Sequence, residues 1–145
     1  PAIKVVGSTL LDKNGKIAWA GGLLDSGNVI EPSSGMDPRQ GGYHGQLYCQ
    51  RLVDVVAGAN ALIAQEIMLQ ALDELGETIN ADSLMVTLAL LARTNNWLTA
   101  TTPRLEAVLP LQMRSIIPVD RALLLRTAKV DNRSAWAGTV PLEVN

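Results

Sequence analysis

The side chains best suited to chemistry in this sequence are carboxylates that stand beside turns. Asp82 follows Asn80 and Ala81 at the predicted start of a helix, and Asp37 precedes Pro38 in a glycine-rich segment. A carboxylate at a helix start either caps backbone N–H groups or serves as a general base toward a hydroxyl group. An Asp before Pro either starts a turn or hydrogen-bonds a ligand hydroxyl. Both alternatives stay open at both positions.

Ring side chains gather at the end of the same glycine-rich segment. Tyr43 and His44 directly follow Gly41 and Gly42. A glycine-rich loop that carries hydrogen-bonding rings suits the rim of a ligand site, and it equally suits a surface loop. His44 is therefore interpreted either as a partly exposed polar residue or as a contact to a substrate.

Several other chemistries lack the residues that they need. One His and one Cys cannot form a zinc site of the usual kind. No phosphate-binding glycine loop, dinucleotide fingerprint or nucleophile elbow occurs, and a Ser-His-Asp triad has no supporting local context. A net charge of −2, without a basic stripe interleaved with aromatic residues, excludes a typical nucleic-acid binder. No apolar run approaches the ~20 residues of a membrane span, and a lone Cys leaves the cytoplasm as the default compartment.

The elements that must position these residues form an α/β pattern. With 145 residues, 48% of them hydrophobic, the chain can bury a core of its own. Asn14-Gly15 between apolar runs predicts a hairpin turn with positive φ at both residues, and Ile17 and Trp19 should share one face of the return strand. Gly58-Ala59 should lead straight from a strand into a helix that Gly76 ends. Strands are predicted over 4–11, 16–20, 52–57 and 97–102, helices over 61–75 and 83–93, and a long loop over 21–47.

The resulting expectation is a mixed β-sheet with a β-hairpin and two main helices. Asn80-Ala-Asp82 supplies the cap candidates of the second helix, and Pro103 should end the last strand, since Pro cannot donate to a sheet. The chain divides into a domain over 1–110 and a C-terminal extension of unknown role over 111–145.

Four motifs, in this order, resemble the acceptor-side half of a family 2 glycosyltransferase catalytic domain. The resemblance covers about residues 1–105 and rests on the order and spacing of the motifs. They are Val5-Val6-Gly7-Ser8-Thr9-Leu10-Leu11 with the Asn14-Gly15 hairpin and the run Ile17–Gly22; Gly35-Met-Asp-Pro-Arg-Gln-Gly-Gly-Tyr-His-Gly45; the strand, Gly-Ala turn and helix over 54–66; and the Thr-Pro strand over 97–103.

This resemblance implies the C-terminal part of a GT-A fold and inverting transfer of a sugar from a nucleotide sugar to an acceptor hydroxyl. Asp82 would be the general base. Substrate-binding residues would be Asp37, Tyr43, His44, Gly58, Ala59 and Asn60. The implied partners are a nucleotide sugar and a carbohydrate or lipid-linked acceptor. The implied location is the cytoplasm or the inner face of the membrane.

The resemblance also implies an upstream half that grips the nucleotide. In the family, a divalent Mg or Mn ion is held by an Asp-x-Asp motif that would precede Pro1, so no metal or other cofactor is expected in this chain. By itself the chain is expected to be inactive.

The sequence departs from the family pattern in several places, two of which concern the end of the resemblance. Asn80-Ala-Asp82-Ser-Leu keeps one acid of an acidic pair and lacks the Arg that usually follows, and no His-rich run follows Pro103. These departures motivate an alternative, a non-catalytic binding or scaffolding module that keeps the fold and self-associates or docks on a partner.

Overall fold

The computed structural model describes residues 1–25, 28–76, 79–109 and 116–118. It is a mixed α/β structure, which confirms the predicted class. The elements are β1 Ile3–Leu11, β2 Ile17–Trp19, β3 Leu23–Asp25, β4 Asn28–Ile30, β5 Arg51–Leu52, β6 Ala61–Ile63, α1 Gln65–Leu75, α2 Ala81–Thr94, β7 Leu98–Val108 and β8 Ile116–Pro118. Two 3₁₀-helices, Pro38–Gln40 and Tyr43–Tyr48, precede β5. Apart from 116–118, the predicted extension over 111–145 lies outside the described residues.

Strand β1 is the centre of the main sheet, whose order is β2-β1-β7-β5. One edge of β1 is shared by two antiparallel strands, since β6 pairs with Val5–Gly7 and β2 pairs with Leu10 and Leu11. The other edge pairs in parallel with β7, and β5 pairs antiparallel with β7. A second, three-stranded antiparallel sheet has the order β3-β4-β8.

The predicted hairpin between β1 and β2 is confirmed, but its turn differs. The Asp12 carboxylate accepts the Asn14 and Lys16 backbone N–H groups at 2.8 and 2.9 Å, and only Gly15 has a positive φ, +73°. Asp12 thus closes a three-residue loop, which needs one left-handed residue where a two-residue loop needs two. Ile17, Ala18 and Trp19 of β2 are all buried, so both faces of this strand are covered, and the predicted alternation of its side chains stays a prediction.

The long loop predicted over 21–47 is also wrong. It contains the β3–β4 hairpin and both 3₁₀-helices, joined by a turn that pairs with β2. Ile17 donates its N–H to the Met36 carbonyl at 2.9 Å and accepts the Gly35 N–H at 2.8 Å. Gly35 thus belongs to a tight turn whose backbone groups are paired with Ile17 of β2.

The predicted strand over 52–57 and helix over 61–75 both need correction. Only Arg51–Leu52 forms a strand with β7, and Ala61–Ile63 forms β6 in place of the first helical turn. Pairing of this short apolar run with β1 overrides its helical spacing. Helix α1 begins at Gln65, and Gly76 ends it with φ +57°, as predicted.

Helix α2 confirms the second predicted helix and extends it to Ala81–Thr94. The strand that follows does not end at Pro103. Ser8 pairs with Thr102 and the next residue of β1, Thr9, pairs with Glu106, so residues 103–105 bulge out of the ladder. A bulge is where a sheet tolerates Pro, because no ladder hydrogen bond is required of it.

The main core lies between the sheet, the 53–57 segment and the two helices. Helix α2 contributes more to it than any other element, with Met85–Leu90 and Ala92 buried. Trp19, at 1% exposure, is the largest fully buried side chain among the described residues. Leu, Val, Ile and Met fill the remaining volume in a chain that has no Phe. Within the described part of the chain, neither helix is both long and apolar enough to cross a bilayer.

Candidate functional site

Asp82 lies exposed in the first turn of α2, and a different residue caps the helix. The Asn80 side-chain oxygen accepts the Ser83 N–H at 2.8 Å, and the Ser83 hydroxyl accepts the Asn80 N–H at 3.1 Å. This reciprocal capping box satisfies the helix start without Asp82. The Asp82 carboxylate therefore stands at a helix N-terminus, where the helix dipole stabilises negative charge.

The Gly58-Ala59-Asn60 turn packs beside the start of α2. A β-carbon built on Gly58 would lie 3.2 Å from the Met85 sulfur. Met85 is one helical turn beyond Asp82, and residues three apart on a helix are surface neighbours. The turn and the carboxylate that the sequence singled out thus belong to one region of the fold.

Helix and strand lengths agree with this placement. The rise of α2 from Asp82 to Thr94 is about 18 Å, and that of β1 from Ile3 to Ser8 is about 17 Å. Leu98, just after α2, pairs with Ile3, so a helix of this length lying antiparallel to β1 would have its start level with Ser8. Asn60 reaches the same level, since its amide nitrogen donates to the Ser8 hydroxyl at 3.0 Å.

Asn60 holds an uncommon backbone conformation with φ +58°. Asn adopts the left-handed region more readily than most residues, because its side chain can hydrogen-bond locally. Here that side chain is instead tied to Ser8, which is 3% exposed, while Asn60 itself is exposed. The turn therefore presents an oriented amide at the surface.

Asp37 is engaged elsewhere, in the turn that it starts. Its carboxylate accepts the Arg39 backbone N–H at 3.0 Å and two guanidinium N–H groups at 3.0 and 2.9 Å, and Lys16 lies 3.5 Å away. These contacts, the Arg39 side chain first, hold the pKa of Asp37 well below its usual range. Asp37 therefore has the geometry of a turn-forming residue, which is the first of the two alternatives. Among the described residues, no contact joins Asp37 to Asp82.

Tyr43 and His44 lie in the second 3₁₀-helix, and their side chains are outside what the structure describes. Leu47 of the same helix is buried in a small cluster with Leu11, Ile17 and Ala20. This helix therefore packs near the carboxyl end of β1, beyond the level of Ser8.

Two further carboxylates have roles that the sequence analysis missed. Glu31, 4% exposed, accepts the Ala20 N–H at 2.8 Å and the Ser33 N–H at 2.7 Å, and Arg51 donates to the Ala20 carbonyl at 2.7 Å. Burial raises the pKa of Glu31 and lowers that of Arg51. In the sequence, Glu31 is visible only as an acid that directly follows the apolar residues Val29 and Ile30. That pattern is too common to predict a buried carboxylate.

Asp54 joins three elements. One of its oxygens accepts the Leu24 N–H at 2.9 Å and the other accepts from Arg93 of α2 at 2.8 Å. It therefore ties the β3–β4 hairpin and the end of α2 to the segment that leads into the Gly58 turn.

The candidate site, defined by Asp82 and the Gly58-Ala59-Asn60 turn, offers one carboxylate and one exposed amide, which is anchored on the buried Ser8 hydroxyl. Within the described ranges, no three His, Cys, Asp or Glu side chains come together as a metal site would require. Its chemistry is proton acceptance and hydrogen bonding to polar ligands. Comparison with known proteins adds no constraint, since no protein-family model, curated protein or solved structure matches this chain.

Proposed function

We propose that this chain supplies the acceptor side of a glycosyltransferase, in which Asp82 is the general base for transfer of a sugar from a nucleotide sugar. The observation that carries the proposal is the contact of Gly58 with Met85, which sets the 58–60 turn beside the start of α2. The resemblance to family 2 enzymes of the GT-A type motivates the assignment. The proposal includes a cytoplasmic location, or one at the inner face of the membrane.

The proposed step needs one base and one oriented acceptor. The acceptor hydroxyl attacks the anomeric carbon, its proton passes to the Asp82 carboxylate, and the bond to the nucleotide diphosphate breaks with inversion. Asp82 suits this role because it is exposed and Asn80 already caps the helix. Asn60 would hold an acceptor or donor hydroxyl. The diphosphate, and a Mg or Mn ion with it, would be held by an upstream half of the enzyme.

A saccharide titration of the chain tests the proposal. The ¹⁵N-labelled chain is titrated with monosaccharides, here glucose, galactose and N-acetylglucosamine, and backbone amide shifts are followed. Shifts confined to 58–60 and 81–83, and weakened in Asp82→Asn but not in Asp73→Asn, would support it. Asp73 is the matched control, an exposed acid on α1. Absence of saturable shifts with every sugar, or equal effects of both variants, would contradict it.

A second candidate, the scaffolding module, is favoured by a different observation. Leu62 and Leu69 are 71% and 57% exposed, and exposed apolar side chains of this size promote association. Light scattering distinguishes the two. Concentration-dependent self-association that Leu62→Lys abolishes, in a chain that binds no sugar, would favour the module.

A further inference from the structure

The Asn14-Gly15 pair in the loop of the β1–β2 hairpin brings together two groups that can react with each other. In an Asn-Gly sequence, the backbone nitrogen of Gly can attack the side-chain amide carbon of Asn, because Gly has no β-carbon to shield that nitrogen. Asn14 is the only asparagine of the chain that precedes a glycine. The proposed function does not use this pair.

The hairpin loop over 13–15 is open to water and carries no packed neighbour. Lys13, Asn14 and Gly15 are all exposed. A β-carbon built on Gly15 would meet no atom within 4 Å beyond its chain neighbours in the described part of the chain. The loop can therefore change its backbone conformation without displacing any side chain of the core, and water reaches whatever product forms there.

Hydrogen bonds to Asp12 keep the loop closed. The Asp12 carboxylate accepts the Asn14 and Lys16 N–H groups at 2.8 and 2.9 Å, and the Asp12 carbonyl accepts the Gly15 N–H at 3.0 Å. This last hydrogen bond engages the nitrogen that would attack, so it must break before the reaction. One exposed hydrogen bond shifts an equilibrium by a factor of about two to ten. The loop therefore slows the attack but does not prevent it.

We propose that Asn14 is a modification site, at which the chain itself converts asparagine to aspartate and isoaspartate. The Gly15 nitrogen forms a bond to the Asn14 Cγ and gives up its proton, while the Cγ–Nδ2 bond breaks and ammonia leaves with that proton. The product is a five-membered succinimide ring. Water, the only co-reactant, then opens the ring, either at the new Cγ–N bond to give aspartate or at the original peptide bond to give isoaspartate.

Both products disturb the loop in which they form. Hydrogen bonds, that from the Lys16 N–H first, lower the pKa of Asp12, and a hydrogen bond from the Asn14 side chain contributes. The Asn14 side chain is thus close to an anionic carboxylate, which would repel a second carboxylate at position 14. Isoaspartate also adds a methylene group to the backbone, which moves the Gly15 N–H away from the Asp12 carbonyl. Both products should therefore destabilise the hairpin, isoaspartate the more.

Incubation of the intact chain at physiological pH and temperature, followed by peptide mapping with mass spectrometry, measures the reaction. Conversion replaces an amide by a carboxyl group and adds one mass unit, and electron-transfer fragmentation distinguishes isoaspartate from aspartate. Asn14 should convert faster than Asn60 and Asn96, and should give both products. These two are matched controls, since both are exposed with positive φ but precede Ala and Trp.

A pair of variants tests whether the loop sets the rate. Asp12→Ala removes the acceptor of the Asn14 and Lys16 N–H groups, so conversion at Asn14 should become about two- to tenfold faster. It should approach the rate in the chain unfolded by urea. Asp73→Ala, which removes an exposed acid of α1, should leave the rate unchanged. The comparison of Asn14 with Asn60 in the native chain does not depend on how Asp12→Ala folds.

Two results would overturn the modification site. One is conversion of Asn14 that is no faster than that of Asn60. The other is an aspartate product without isoaspartate, since a succinimide ring opens at both bonds. Equal rates in the native chain, in Asp12→Ala and in the unfolded chain would overturn the control of the reaction by the loop. None of these measurements involves Asp82 or a sugar, so the proposed function stands or falls separately.

Discussion

Replacing Glu31 by Ala should destabilise the fold more than any other loss of a single carboxylate in the described residues. In the native chain the Glu31 oxygens accept the Ala20 and Ser33 N–H groups at 2.8 and 2.7 Å, and the neighbouring Arg51 is 7% exposed. Glu31→Ala leaves both N–H groups without an acceptor and leaves the guanidinium without its counter-charge.

The magnitude follows from three opposing contributions. Each buried N–H left without an acceptor costs about 1–3 kcal/mol, hence about 2–6 kcal/mol for the two, and the electrostatic attraction between Glu31 and Arg51 is lost as well. Burial raises the pKa of Glu31, because the charged carboxylate loses its hydration in the folded chain. This desolvation cost offsets part of the stabilisation that its hydrogen bonds provide. The lower part of the range is therefore expected, about 3 kcal/mol in the free energy of unfolding.

Chemical denaturation at pH 7 measures this quantity, with Glu74→Ala as the control because Glu74 is exposed on α1. The control should change stability by less than about 0.5 kcal/mol. In the double variant Glu31→Ala/Arg51→Met the loss should be smaller than the sum of the two single losses, since no unpaired charge remains. A loss under about 1 kcal/mol for Glu31→Ala, or strict additivity, would refute the assigned network.

Two further predictions concern the residues beside the candidate site. Asn80→Ala should lower the free energy of unfolding by about 1 kcal/mol, because Asn80 is the cap of α2. Asp82→Ala should lower it by clearly less. Equal losses of the two variants in thermal denaturation would mean that Asp82 also caps the helix. Asp37 should titrate by NMR below its ordinary value of 3.8, and Arg39→Ala should raise its pKa. Since the folded-state pKa is depressed, the stability that Asp37 contributes is present above pH 3.8 and is lost as the pH falls further; an unshifted Asp37 in the native chain would contradict the contacts with Arg39.

The elements predicted from sequence are those defined by local chemistry. Strand β1, its Asn14-Gly15 turn and the Asn80-capped helix each depend on neighbours a few residues away. Strand β6 was not predictable in this way, because Ala61–Ile63 continues the apolar spacing of α1 and its partner β1 is distant in sequence. The turns over 21–47 likewise depend on pairing with Ile17 and on the burial of Glu31, which composition does not reveal.

The same distinction between local sequence and distant contacts applies to the candidate site. Asp82 and the 58–60 turn could be singled out, since a carboxylate at a helix start and a Gly-Ala turn are visible in the sequence. Their proximity depends on the packing of Gly58 against Met85. Ser8 carries no pattern of its own, and only the register between β1 and β6 brings it next to Asn60.

The position of β1 at the centre of the main sheet has a consequence for how the chain folds. Its parallel partner, β7, begins only at Leu98, so β1 cannot complete its pairing until most of the described chain has been synthesised. Contacts this distant in sequence slow folding, because the entropy of closing a long loop is lost before the pairing compensates it. During that interval the apolar strand is available to wrong partners, so aggregation should compete most strongly with folding on a growing chain that ends before β7.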